Sequence, residues 1–394
     1  MGQLQGIKLQ KLQGGLGRRT PSTDSHMALI IKPTGNTIVD AAIANNGKGL
    51  QLTSLSQAQS AGLTQSASAN GTTPFYEHIA EFFRLAPEGT LYLFNNKVAA
   101  NVVSFLKQNP LIKGFAIVDD FAGVTQATFI ADYQANVIDT LATENRLIDF
   151  CIIGLNAFAM ASAINLTELA SPQISVLVVG SGGSTFAAAG SFLGMIAARK
   201  VNENVGSVAV QNPPFEKRGA VDYSLTDNNL GLWLDAKLTG GATIASLTKA
   251  QLTQLENFGY IFAASYEGYP GFFFNNSKTC ISAASDYCFI ENNRVWNKSA
   301  RAIRMALLPE VKGIVKKNPT TGFIKSTTVS RWIGIANKSL EQLVSDDEIS
   351  GFEVYIDASQ TVNSTQPVKI SAKVVSDGIV HEFEVALGLT NSLN

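Results

Sequence analysis

Apolar positions along this chain fall into short unbroken runs separated by stretches with helical spacing. Runs at 28–31, 49–53, 90–94, 114–118, 150–154, 174–179 and 260–264 read as strands. Between them, helices are predicted over 56–61, from Pro74 with Phe75, Ile79, Phe82 and Phe83 on one face until Gly89, and over 98–106. Further helices are predicted over 128–144, 157–163, 185–200 and 248–258, the first carrying Ile130, Tyr133, Val137, Ile138 and Leu141. Strands that are continuously apolar and alternate with amphipathic helices imply a mostly parallel sheet covered on both faces.

The pattern changes after residue 280. Helices are predicted over 293–308, closed or kinked by Pro309, and over 328–344, followed by a strand at 352–356. Val368, Ile370, Ala372 and Val374 then alternate with polar residues. After a Ser376-Asp377-Gly378 turn, Ile379, His381, Phe383, Val385 and Leu387 alternate again. A third strand is therefore expected here. At the other end, residues 1–26 are polar and glycine-rich, with Gly14, Gly15, Gly17, Arg18 and Arg19 ahead of the first strand. The expected organisation is an N-terminal arm (1–26), a central α/β domain (27–280), a smaller α+β domain (281–375) and a C-terminal arm (376–394). Both arms look like strands without a sheet of their own, which suggests strands shared between copies.

Composition narrows the function. A chain of 394 residues exceeds one ordinary core, so two domains plus arms is the default. Thirty Lys and Arg against thirty-one Asp and Glu leave no basic footprint for dedicated nucleic-acid binding. Only 15% of residues are charged, below the roughly 25% of an ordinary soluble domain, so neutral surface is available for subunit contacts. Cys151, Cys280 and Cys288 lack metal-type spacing and read as reduced, packed thiols. The first 26 residues have no apolar signal segment. Of the uncharged stretches 150–167 and 169–198, the second is broken by Ser171-Pro172 and the glycine turn at 180–184, and both are read as buried core over a membrane span.

Candidate chemistry is sparse. Gly180-Ser181-Gly182-Gly183 sits between a strand and a helix, where backbone amides can meet a phosphate, but its spacing misses G-x-G-x-x-G and no Walker lysine follows. Asp119 and Asp120 end a strand, the edge where open α/β sheets bind ligands. An α/β nucleotide-binding protein or enzyme using these two features is the alternative reading. His26, His78 and His381 are far apart, and no G-x-S-x-G elbow nominates a serine. Arg294, Lys298, Arg301 and Arg304, at spacings of four, three and three, define one stripe of a helix. That stripe is either a solvated face or a docking surface for acidic groups, for which Asp346, Asp347 and Glu348 of a neighbouring copy are the expected complement.

The order of parts resembles the contractile tail sheath proteins of phages and related injection systems. The resemblance rests on Gly14-Gly15-Leu16-Gly17-Arg18 with Asp24 before the first strand, and on Tyr269-Pro270-Gly271-Phe272-Phe273-Phe274 followed by Ser285-Asp286-Tyr287 and the helix of Arg294. It also rests on the terminal Gly378-Ile379-Val380-His381-Glu382-Phe383-Glu384-Val385. The resemblance implies a virion-tail subunit assembled in the bacterial host cytoplasm, with no enzymatic activity and no cofactor. Its implied partners are further copies of itself, a tail tube protein, and baseplate and tail terminator proteins. It implies that Gly14, Gly15, Gly17, Ile379, His381, Phe383 and Val385 serve strand exchange, and that Arg294, Lys298, Arg301 and Arg304 meet a neighbour or the tube. Contraction would be rigid-body rotation of subunits tethered by their arms.

Overall fold

The computed structural model describes residues 23–69, 74–118, 124–180, 185–208, 225–226, 236–267, 269–363, 366–385 and 387–389. The chain divides into two compact units, Met1–Asn293 and Arg294–Asn394.

The first unit is built on a seven-stranded sheet in the order β2-β3-β1-β4-β5-β6-β9. The strands are β1 (His26–Ile31), β2 (Leu50–Leu52), β3 (Thr90–Phe94), β4 (Gly114–Val118), β5 (Phe150–Gly154), β6 (Ile174–Leu177) and β9 (Tyr260–Ile261). Every neighbouring pair is parallel except the edge strand β2, which runs antiparallel to β3. All residues of β3, β4 and β5 are buried. Burial on both faces removes the period-2 alternation and explains the unbroken apolar runs. Two-residue strands β7 (Val179–Gly180) and β8 (Lys237–Leu238) pair with each other, so the predicted 174–179 strand divides in two. A bulged antiparallel hairpin joins β10 (Ala263–Tyr266) to β11 (Tyr269–Phe274).

The helices follow local signals. Asn36 caps α1 (Thr37–Ala44), its side chain accepting from the amides of Ile38 and Val39. Two short helices, α2 (Leu55–Ser60) and α3 (Gln65–Ala69), precede α4 (Phe75–Leu85), which buries Phe75, Ile79, Phe82 and Phe83 as the spacing predicts. Next come α5 (Ala99–Gln108), α6 (Gln126–Tyr133) and α7 (Thr140–Thr143). The helix predicted over 128–144 is interrupted between α6 and α7 by a π-helical stretch, Gln134–Asp139. There Gln134 donates to Asp139 and to Gln173, holding the widened turn from inside and outside the helix.

Two predicted helices are corrected. Over 157–163 the chain forms only a 3-10 turn, Met160–Ser162, because Ala157 takes a left-handed conformation at φ 49° that no helix continues. The helix expected over 185–200 is confined to α8 (Ala189–Ala197). A capping box between Thr248 and Gln251 starts α9 (Lys249–Asn257). Near the end of the unit, buried Asn204 reaches Asn276, Ser277 and Glu291 at 3.0, 3.1 and 2.7 Å, so a buried carboxylate is met by hydrogen-bond donors.

The second unit holds most of α10 (Ile290–Leu307), α11 (Ser326–Ser345) and a two-stranded antiparallel sheet of β12 (Gly351–Tyr355) and β13 (Ser371–Val375). Its core gathers Ile324, Val329, Trp332 and Ile356, flanked by Leu307, Val315, Ile333, Ile335, Val362 and Val368. Glu310, just after α10, accepts hydrogen bonds from Arg331 and from the indole of Trp332, which pins the inter-helix connection to α11.

Candidate subunit interface

The two-stranded sheet pairs Phe352 with Val374, Val354 with Ala372, Glu353 with Lys373 and Tyr355 with Ser371. Alternation places Phe352, Val354, Ala372 and Val374 on one face, and Glu353, Tyr355, Ser371 and Lys373 on the other. The second face is open: Tyr355 and Val375 are exposed, and Glu353 meets Lys373 at 3.7 Å in full solvent. The first face is only half covered, with Phe352, Val354 and Val374 partly buried and Ala372 exposed. A hairpin-sized pair is marginal alone, and each strand has one edge with no ladder partner among the described residues.

The chain beyond β13 has the matching character. A third strand is expected over 379–387, but among the described residues 376–385 belongs to no strand ladder. The exposure of its large apolar side chains goes with that absence of pairing. Val380, Phe383, Val385 and Leu387 are 64, 82, 79 and 90% exposed, Ile379 is half-buried and His381 is exposed. So large an exposed apolar surface is uncommon on a monomeric soluble protein. Gly14, Gly15 and Gly17 lie outside the described residues.

The four cations do not form the single open stripe that their spacing suggests. Arg294 is 2% exposed, buried along α10, and so is corrected from docking residue to interior residue. Lys298 Nζ lies 2.6 Å from Glu348 Oε1 in a mostly buried pair. The acidic complement expected on a neighbouring copy is thus met, for Glu348, within the same unit. Arg301 is half-buried and Arg304 exposed, while Asp346 and Asp347 are exposed. A further exposed apolar group was not anticipated: Met305, Leu308, Val311 and Ile314 at the end of α10 and in the following connection. The spread of Leu, Val and Ile among Lys312, Lys316 and Lys317 was the available signal.

The features of the alternative chemistry fall largely outside the described residues. Asp119, Asp120 and residues 181–184 lie outside the described residues, and Gly180 is buried in β7. His78 is buried in α4, with its pKa lowered to about 4 by burial, and His26 begins β1 beside the Tyr92 hydroxyl. Among the described residues no group of three or more His, Cys, Asp or Glu side chains could hold a metal ion. No described helix is long and apolar enough to cross a membrane. A cavity of about 620 Å³ opens where the loop between β12 and β13 folds back, lined by Tyr355, Asp357, Gln360 and Lys369. Gln360 fills part of its wall, bonding both the amide and the carbonyl of Lys369 at 2.6 and 2.9 Å.

Similarity to known proteins covers both units. Residues 4–278 match the DUF2586 N-terminal domain, and residues 286–394 match the DUF2586 C-terminal domain. No curated protein matches the sequence significantly. Among solved structures, the chain is similar to one from the PVC sheath complex in the contracted state, an extracellular contractile injection system, with a TM-score of 0.57 at 12% identity. That likeness covers 100% of this chain and 98% of the other. It is also similar to a chain of the anti-feeding prophage baseplate, with a TM-score of 0.55 at 12% identity and full coverage of both. At this identity the likeness establishes the fold, a sheath fold.

Proposed function

Because the chain belongs to the DUF2586 family through both of its domains and has a sheath fold, we propose that it is a structural subunit of a contractile tail sheath. In this reading copies polymerise helically around an inner tube, each lending terminal strands to its neighbours. The exposed apolar side chains of Phe383, Val385 and Leu387 on the terminal segment carry the proposal. Strand addition would satisfy the open edge of β12 or β13 with backbone hydrogen bonds, and the alternating side chains would set the register. A head-to-tail contact whose rotation does not close generates a helix of subunits.

The domain division follows the same reading: residues 1–26 and 376–394 act as arms, 27–280 as the outer body, and 281–375 as the strand-accepting domain. Arg304, exposed near the end of α10, is the cation of the stripe that would meet a neighbour or the tube. Contraction would rotate whole subunits while the arms keep them tethered, with no cofactor or fuel, and its energy would come from a metastable extended packing. The partners of this reading are the tube, the baseplate and a tail terminator.

Deleting residues 1–19 tests it. The expected product is a folded monomer, with unchanged circular dichroism, that forms no tubes by electron microscopy. Normal tubes from the truncated chain would sink the arm reading. The enzyme alternative predicts instead a rise in melting temperature with nucleotides or divalent metals, since a ligand of the native state must stabilise it.

A further inference from the structure

The turn that leads from α1 to β2 sets an asparagine before a glycine. Asn46 is exposed and takes φ 54° and ψ 37°, and Gly47 follows at φ 84°. Two successive positive φ values, with the Lys48 amide donating to the Asn45 carbonyl at 3.1 Å, make residues 45–48 a turn of type I′. A second bond, from the Gly49 amide to the Ala44 carbonyl at 3.2 Å, closes it from outside. Neither bond uses the peptide between Asn46 and Gly47. A Cβ built on Gly47 would meet nothing within 4 Å, so that peptide has room to turn over between fixed ends. Turning it carries Asn46 to the ψ of about −120° of a type II′ turn and Gly47 to negative φ. In that form the Gly47 nitrogen comes round to the side-chain carbonyl carbon of Asn46. Asn45 and Asn145 are left-handed too, at φ 42° and 59°, but Asn46 and Arg146 follow them, and those side chains obstruct the same approach.

We infer that Asn46 is a site of spontaneous deamidation and isoaspartate formation, which loosens the edge of the sheet as the protein ages. The Gly47 nitrogen bonds to Asn46 Cγ and gives its proton to solvent. The Cγ–Nδ2 bond breaks, and Nδ2 leaves with a solvent proton as ammonia. Water then opens the five-membered imide at either carbonyl. Opening at Cγ leaves aspartate; opening at the main-chain carbonyl leaves isoaspartate, whose chain runs through Cβ and Cγ. Overall one amide and one water become one carboxylic acid and one ammonia, with no change of oxidation state. Isoaspartate puts one extra carbon into a turn whose far side is held: Asn109 Nδ2 donates to the Lys48 carbonyl at 2.8 Å, and Asn45 Nδ2 to the Gly49 carbonyl at 3.0 Å. Gly49 is wedged so tightly that a Cβ there would lie 2.4 Å from the Phe105 ring and 2.7 Å from the Leu93 carbonyl oxygen. The added length therefore falls on β2, a three-residue strand at the sheet edge with β3 as its one neighbour in the sheet.

The test keeps the full chain folded at pH 8 and follows it by peptide mapping. Trypsin cuts after Lys48, which puts Asn46 and the second Asn-Gly pair, Asn70-Gly71, in different peptides. The peptide ending at Lys48 is expected to exchange its amide NH2 for OH at Asn46 ahead of its other asparagines, Asn36 and Asn45, giving a mixture of isoaspartate and aspartate. In the aged chain the amides of Leu50–Leu52 should exchange hydrogen about tenfold faster, as the edge opens locally. The Asn46→Gln chain, whose longer side chain would have to close a six-membered ring, should keep both its mass in that peptide and its slow exchange. An Asn46 that stays intact in the folded chain overturns the inference, and deamidation of a synthetic 42–50 peptide in the same buffer would show that the turn protects it. Aspartate without isoaspartate also overturns it, since direct hydrolysis needs no imide. A deamidated chain whose β2 exchanges as before overturns the loosening of the edge.

Discussion

Gly190, in the first turn of α8, lies so close to α4 that a Cβ built on it would sit 2.2 Å from the carbonyl oxygen of His78. The Gly190 amide points at the Nδ1 of the same histidine, at 3.4 Å. Gly194, one turn on, approaches Phe82 and Leu85 in the same manner, with virtual contacts of 3.0–3.2 Å. Glycines four apart let two helix backbones meet without intervening side chains. Gly190→Ala is expected to push the helices apart and destabilise the first unit by about 3 kcal/mol, the upper end of overpacking costs. Gly194→Ala, whose neighbours need shift by tenths of an ångström, is expected to cost about 1 kcal/mol. Urea unfolding of both variants checks the ranking.

His78 makes the same contact sensitive to acid. Its burial holds its pKa down at about 4, against an ordinary 6.5. Above pH 6.5 the ring is neutral in folded and unfolded chains and stability is unaffected. As pH falls from 6.5 towards 4, only the unfolded chain takes up the proton, so stability declines, by about 3 kcal/mol in all. His78→Gln removes the titrating group and should flatten this part of the profile. Burial also lowers the pKa of His26, beside Lys113, so a residual slope of the same sign should remain.

Much of this architecture is legible in the sequence for one physical reason. Strands such as 114–118 and 150–154, buried on both faces, announce themselves as unbroken apolar runs. What escaped the reading was set by tertiary context. Ala157 in a left-handed turn and the π-stretch at Gln134–Asp139 leave no mark in composition or spacing. Charge spacing placed Arg294 and Lys298 on one helix face but could not reveal that the face is interior, because burial is decided by what packs over it. The terminal alternation of Ile379, His381, Phe383 and Val385 was readable as a segment without a sheet of its own, and among the described residues no strand ladder includes it.

The Lys298–Glu348 pair, with side chains 22 and 9% exposed, is expected to behave as a buried ion pair. Lys298→Met strands a carboxylate in low dielectric and should destabilise the second unit by about 3 kcal/mol. Adding Glu348→Leu to it should recover most of that loss, since removing both charges also removes the desolvation cost. A double-mutant cycle by denaturant unfolding, followed by tryptophan fluorescence, measures the coupling. Equal losses in the single and double variants would mean that packing, not charge, holds this corner.

The cysteines should differ in reactivity by position. Cys151 pairs with Ile174 across the β5–β6 ladder, and the Cys280 amide donates to the carbonyl of that same Ile174, so both residues lie against β6. Both are fully buried, and burial pushes both pKa values up, that of Cys151 well above the ordinary thiol value. The thiolate is the reactive form, so a raised pKa and an inaccessible sulfur act in the same direction. Cys288 is slightly exposed, and its pKa is raised mainly by burial, with Lys278 opposing the shift. Titration of the native chain with an aromatic disulfide at pH 8 is expected to modify Cys288 first and slowly, and Cys151 and Cys280 only on unfolding. Cys288→Ser should then leave a native chain inert to the reagent, whereas fast labelling of that variant would show that the sheet opens around β5 and β6 in solution.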